Sequence, residues 1–207
     1  MQGFYKIGSA DPDWRPAQQF TTANLPPTDR YWLLDDGSLT RHLIGLSRGP
    51  FRVQQLYQDW QVPRPSERIL LNIPPRQLAL VREVALVVAG NAVVFARSVF
   101  PHTSLTGSLT HLRKLQNKPL GAILFNHPGM HRSPFELARL RGNSGYLPPA
   151  LQQGDDAWAR RSRFTIKNKA LLVSEVFLDK FSPWSRALPV HRSQRGTVSS
   201  AMLHPKP

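Results

Sequence analysis

Arg82 and Arg97 stand in two β-rich apolar runs, residues 78–88 and 93–100, and Glu175 stands in a third, residues 170–178. Charged side chains on strand faces that are otherwise apolar are costly unless each has a partner. Two guanidinium groups and one carboxylate make an odd core but a sensible pocket for a small, multiply anionic ligand. Arginine suits that task because its planar fork binds a carboxylate through two parallel hydrogen bonds.

The strands must supply the geometry. The first two runs flank Gly90-Asn91 and read as a hairpin with a two-residue turn. If Ala89 faces Ala92, Arg82 lies opposite Val99 and Val84 opposite Arg97. Both arginines then share a face with Leu80, Leu86, Val93 and Phe95. The competing reading has them snorkelling at a sheet margin. A second hairpin joins residues 160–167 to residues 170–178 through Asn168-Lys169. There Glu175 faces Ser162, on the side carrying Phe164, Ile166, Leu171, Val173 and Phe177. A register slip of one residue would put Glu175 outside. The run Arg160-Arg161-Ser162-Arg163 reads as a solvated face.

Other chemistries find little support. The chain has 0 cysteines, so it has neither a disulfide framework nor a thiolate ligand or nucleophile. His127 and His131 have helical i,i+4 spacing, but Pro128 and Gly129 between them oppose a zinc-binding helix. Neither a nucleophile elbow nor a phosphate-binding glycine loop is present. No metal and no cofactor are expected.

The 207 residues carry 27 Lys+Arg against 13 Asp+Glu, a net charge of +14. Such a balance invites nucleic-acid binding, but its distribution argues otherwise. Residues 180–207 hold five of the cations and no acid, leaving 22 cations against 13 acids on the rest. The remaining charge reads as solvated surface, or as steering for a small anion. The expected division is a domain over residues 1–179 and a poorly ordered basic tail, rich in Pro and Ser, over residues 180–207. The least polar stretch, residues 84–96, is interrupted by Gly90-Asn91 and is shorter than the roughly 18 apolar residues a membrane helix needs. Without a visible signal peptide, a cytoplasmic monomer is expected.

Around the strands, residues 1–28 read as a wrapping arm. Leu39, Leu43 and Leu46 have helix spacing, with Ser38 as N-cap. Residues 51–60 read as a strand and residues 111–115 as a short helix. Residues 117–125 read as another, with Pro119 at its first position. Residues 135–140 read as helical, and residues 142–156 as a Gly/Pro-rich loop. The starts at Leu39 and Leu120 offer backbone N–H groups without intrahelical acceptors. The fold class is therefore α+β: a single antiparallel sheet with helices packed on it, enclosing a buried ligand pocket.

From about Trp32 to Leu178 the sequence resembles the bacterial chorismate pyruvate-lyases. The resemblance rests on Trp32-Leu33-Leu34, Ser38-Leu39, Arg82-Glu83, Ala96-Arg97-Ser98 with Pro101, Lys118-Pro119-Leu120-Gly121, Trp158 through Arg163, and Leu171 through Leu178. It implies elimination of pyruvate from chorismate to give 4-hydroxybenzoate, the first step toward ubiquinone. It also implies that Arg82 binds the ring carboxylate with the backbone N–H groups of Leu39 and Leu120. Glu175 is implied against the 4-hydroxyl, and Arg97 at the enolpyruvyl carboxylate. The family more usually has Met at the position of Leu39; a backbone contact survives that change. The basic tail also departs from the shorter family members. A site gripping carboxylate, ring and phenol should retain its product, so product inhibition is expected.

Two other classes compete. Ligand-sensing domains of some bacterial transcription regulators resemble this fold and bind effectors without turnover, but no helix-turn-helix is recognisable here. Polyanion binding through the tail is the third.

Overall fold

The apolar runs pair into one antiparallel sheet because each supplies the backbone donors and acceptors that its neighbour needs. A computed structural model describes residues 11–47 and 49–181. Along the chain lie β1 (Arg15–Pro16), α1 (Pro27–Leu34), α2 (Leu39–Leu46), β2 (Phe51–Gln61), α3 (Pro65–Leu71), β3 (Ala79–Val88) and β4 (Asn91–Pro101). They are followed by α4 (Leu120–Phe125), β5 (Met130–Arg132), β6 (Glu136–Leu140), β7 (Ala157–Ile166) and β8 (Lys169–Phe177). The eight strands order as β1-β6-β7-β8-β4-β3-β2, with β5 pairing β7 beside that path. This is the expected α+β architecture. None of these helices is long and apolar enough to cross a membrane.

The first hairpin departs from its expected register. Its turn is Ala89-Gly90, both with positive φ (48° and 84°), which brings Val88 opposite Asn91. Paired positive φ values match the right-handed twist of the flanking strands. A bulge then leaves Val93 unpaired between Val87↔Ala92 and Leu86↔Val94, so Arg82 lies opposite Ser98 and Glu83 opposite Arg97. Arg82 and Arg97 therefore point through opposite faces. The second hairpin turns at Lys167-Asn168, again both with positive φ, and Glu175 lies opposite Arg160 rather than Ser162. That slip is of two residues, so Glu175 keeps its expected face.

Residues 136–140 form a strand, not the expected helix. Six residues are too few to sustain an isolated helix, and β7 offers them a ladder from Glu136↔Arg161 to Leu140↔Ala157. Residues 182–207 lie outside the described residues. Phe181 is buried, edge-on to Trp32 and Phe177 with ring centroids 5.0 and 4.9 Å away.

Two apolar clusters cover the front face of the sheet. One joins Trp32, Leu33 and Leu43 to Val84, Leu86 and Phe177; the other joins Leu109, Leu112 and Leu124 to Leu80, Phe100 and Phe164. On the back face, α3 and the loop around Tyr146 pack on Phe95, Val99, Leu172 and Val176. The front clusters do not close over the middle of the sheet.

Candidate active site

Cross-strand rows assemble the site. One row on the front face runs Arg82, Ser98, Val173, Ser162; the next runs Val84, Ala96, Glu175, Arg160. Directly opposed residues share a face, so Arg82, Glu175 and Arg160 all project into the gap between the two clusters. The helix starts close it from above. Ser38 caps α2, its Oγ accepting from Arg41 N at 3.4 Å. Gly121 lets α4 approach that cap, since a Cβ there would lie 3.3 Å from Ser38 Oγ. The result is a cavity of about 590 Å³, its mouth included, lined by Arg82, Arg132, Arg160 and Glu175 and by the helix starts Leu39 and Leu120. Its walls are mostly apolar, with Val84, Leu86, Leu124, Phe125, Phe164 and Val173 among them.

The arginines are held differently. Arg82, 2% exposed, donates through Nη2 to the carbonyls of Gln116 (2.7 Å) and Lys118 (2.9 Å), while its buried Nε has no hydrogen-bond partner. Burial with no carboxylate partner pushes its pKa down to about 10. Arg160 is 1% exposed; Nε donates to Glu175 Oε2 at 2.6 Å, and Nη1 to the carbonyls of Trp32 (2.7 Å) and Asp35 (2.9 Å). Arg132 donates through Nε to Ser162 Oγ at 2.7 Å and through Nη1 to the Asp36 carbonyl at 3.3 Å. Its guanidinium lies 4.0 Å from the ring of Phe135 and 4.9 Å from that of Phe164. Burial, and then the charge of Arg160, push the Arg132 pKa down to about 9.

The loop between α1 and α2 ties into this cluster. Asp35 Oδ2 accepts from Gly37 N at 3.1 Å and lies 3.0 Å from His42 Nε2. Burial raises the Asp35 pKa, but the His42 hydrogen bond and the charges of Arg160 and Arg132 outweigh it, so it sits below the ordinary value.

Arg97 is elsewhere. On the back face it is 4% exposed, donating through Nε and Nη2 to the two oxygens of Glu67 (2.7 and 3.1 Å) and through Nη1 to Glu83 Oε1 (2.6 Å). Its expected place at the pocket is corrected by the bulge at Val93, which turns it through the sheet onto two carboxylates. The expected pocket residues Arg82, Leu39, Leu120 and Glu175 do meet in one cavity. Arg160 and Arg132 were missed. Arg160 alternates with Ser162, Phe164 and Ile166, a signal its place in a cationic run hid. Arg132, in a three-residue strand, carries no such signal. The run at residues 160–163 is not a solvated face: Arg160 and Arg161 are buried on opposite faces against Glu175 and Glu136.

A model of the family described as chorismate lyase matches residues 10–188. The chain belongs to the chorismate lyase family. A probable chorismate pyruvate-lyase of Pseudomonas aeruginosa (strain UCBPP-PA14) is 40% identical over 174 residues, covering 84% of this chain and 94% of the relative. Another, of Marinobacter nauticus, is 42% identical over 151 residues, covering 73% and 76%. Among solved structures, the effector domain of PhnF from Mycobacterium smegmatis superposes with a TM-score of 0.50 at 14% identity, covering 70% of this chain and 91% of that one. At that identity the likeness shows the fold alone. The chorismate lyase fold thus places its helix starts and its front-face charges around one cavity.

Proposed function

We propose that this cavity is where the chain eliminates pyruvate from chorismate and leaves 4-hydroxybenzoate. The supporting observation is charge: among the described residues, three arginines and one carboxylate line a mostly apolar cavity, a net charge of +2. Chorismate is a dianion, and burying it there offsets cations that otherwise lack partners.

Arg82 takes the ring carboxylate, helped by the backbone N–H groups of Leu39 and Leu120. Glu175 takes the 4-hydroxyl. β3 and β8 are separated by β4, so the two ends stand two strand spacings apart, about 10 Å between strand axes. With the side chains reaching inward, that span suits a six-membered ring carrying a carboxylate at one end and a hydroxyl at the other.

The chemistry asks little of the side chains. Breaking the ether C–O bond and removing the hydrogen from the hydroxyl-bearing carbon aromatises the ring, which drives the reaction. If that hydrogen passes to the methylene carbon of the departing arm, pyruvate forms directly and no protein base is needed. The protein then holds the arm and ring in a reactive geometry and stabilises charge on the leaving side. The product keeps the carboxylate, ring and hydroxyl, so this site retains it, and added 4-hydroxybenzoate inhibits turnover.

The test is to mix the protein with chorismate and follow 4-hydroxybenzoate and pyruvate together. Equal amounts of both, with kcat/KM reduced about a hundredfold or more in Arg82→Ala, are expected. Tight binding of chorismate without turnover would overturn the reading in favour of a sensor. Near-normal kcat/KM in Arg82→Ala would overturn the site.

A further inference from the structure

We infer that Arg132 receives the carboxylate of the enolpyruvyl arm, and so makes the cavity selective for a substrate with a second anionic group beside the hydroxyl-bearing carbon. This rests on the cavity being the site of elimination.

Substrate chemistry fixes where that second receptor must stand. The ether-bearing and hydroxyl-bearing carbons are neighbours on the ring, and the ring carboxylate lies para to the hydroxyl. The arm's carboxylate therefore falls near Glu175 and away from Arg82. Arg97 cannot serve, because it is buried on the other face against Glu67 and Glu83.

Two lining arginines stand at the Glu175 end. Arg160 already holds Glu175 through Nε and commits Nη1 to two carbonyls. Arg132 bonds only neutral acceptors, the Ser162 hydroxyl and the Asp36 carbonyl, and forms no ion pair among the described residues. Ser162 is next but one to Arg160 along β7, which places the Arg132 guanidinium beside the Arg160–Glu175 pair. The rings of Phe135 and Phe164 pack against the guanidinium, at 4.0 and 4.9 Å. A partly buried guanidinium with no ion-pair partner among the described residues, packed against aromatic rings and lining the cavity, is preorganised for a carboxylate. As the ether bond breaks, negative charge grows on the departing arm, and Arg132 stabilises it.

The product separates this role from a structural one, because 4-hydroxybenzoate has no second carboxylate. In Arg132→Met, kcat/KM for chorismate should fall about a hundredfold while the Kd for 4-hydroxybenzoate stays within about threefold of the parent protein's. Arg82→Ala should weaken both. Arg132→Lys keeps the charge without the fork and should recover part of the lost kcat/KM. An unchanged kcat/KM in Arg132→Met, or a parallel loss of product affinity, would overturn the inference while leaving the elimination site intact. If Arg132→Met does not fold, Arg132→Lys decides by the same two readouts. Product affinity and kcat/KM both unaffected in Arg82→Ala would instead overturn the underlying site.

Discussion

Arg160 and Glu175 face each other directly across β7 and β8, and the arginine Nε donates to the carboxylate Oε2 at 2.6 Å. That bond commits one oxygen of Glu175 and orients the other. Glutamine at this position keeps an acceptor for Arg160 and a polar atom for the hydroxyl, but loses any ability to take a proton. Loss of a general base costs about a hundredfold to ten-thousandfold in rate. For an orienting role we expect Glu175→Gln to retain kcat within about tenfold of the parent, and Glu175→Ala to lose substantially more. Steady-state rates with saturating chorismate check both.

The Arg97 network bears on stability rather than on substrate. Removing Arg97 takes from Glu67 and Glu83, both almost fully buried, the cation they share. Breaking such a pair from one side costs about 3–5 kcal/mol, or about 10 °C in a domain of this size. Arg97→Met should show that loss in thermal unfolding while its folded fraction keeps a near-parental KM for chorismate.

Asp35 gives the acid limb of the stability profile a specific source. Its folded-state pKa lies below the ordinary value of 3.8, so its contribution is present above about pH 4 and is lost as pH falls through the folded value. Asp35→Asn should cost about 2 kcal/mol at pH 7, the scale of a hydrogen bond to a charged group. The gap from the parent should close below pH 4, as seen in melting temperatures recorded across that range.

Gly142 tests the loop behind the sheet. A Cβ there would collide with the carbonyl oxygens of Gln153 and Asp155, both backbone atoms that cannot rotate away. Gly142→Ala should destabilise by about 2 kcal/mol or more, read from denaturant midpoints, and should leave the affinity for 4-hydroxybenzoate unchanged in the folded protein.

Much of the site could be read from sequence, and the errors have a common arithmetic. Both hairpin turns lie one residue earlier than the pattern suggests, at Ala89-Gly90 and Lys167-Asn168. Moving a turn by one residue shifts each cross-strand pair by two, which preserves the face, so Glu175 stayed where alternation put it. The bulge at Val93 adds a single residue, and that odd shift sent Arg97 through the sheet. A bulge inside a run of valines leaves almost no local mark. Arg160 and Arg161 misled for a different reason: their carboxylates lie 15 and 25 residues away in sequence, so a run of cations looked solvated when these two were buried and paired. Residues 136–140 joined the sheet because β7 had an edge to fill, a tertiary demand that overrides local preference.

Phe135 carries two guanidinium groups, those of Arg132 at 4.0 Å and Arg160 at 4.9 Å, with Glu175 the only carboxylate lining the cavity among the described residues. Like charges gathered on one ring are a form of electrostatic frustration that folding has to tolerate. Burial drives the pKa of Arg132 to about 9 and that of Arg82 to about 10, so the native state holds both cations less willingly than the unfolded chain does. An apolar residue at either position would remove that cost together with the receptor for an anion. An anionic ligand that offsets this cost is also a stabiliser of the fold.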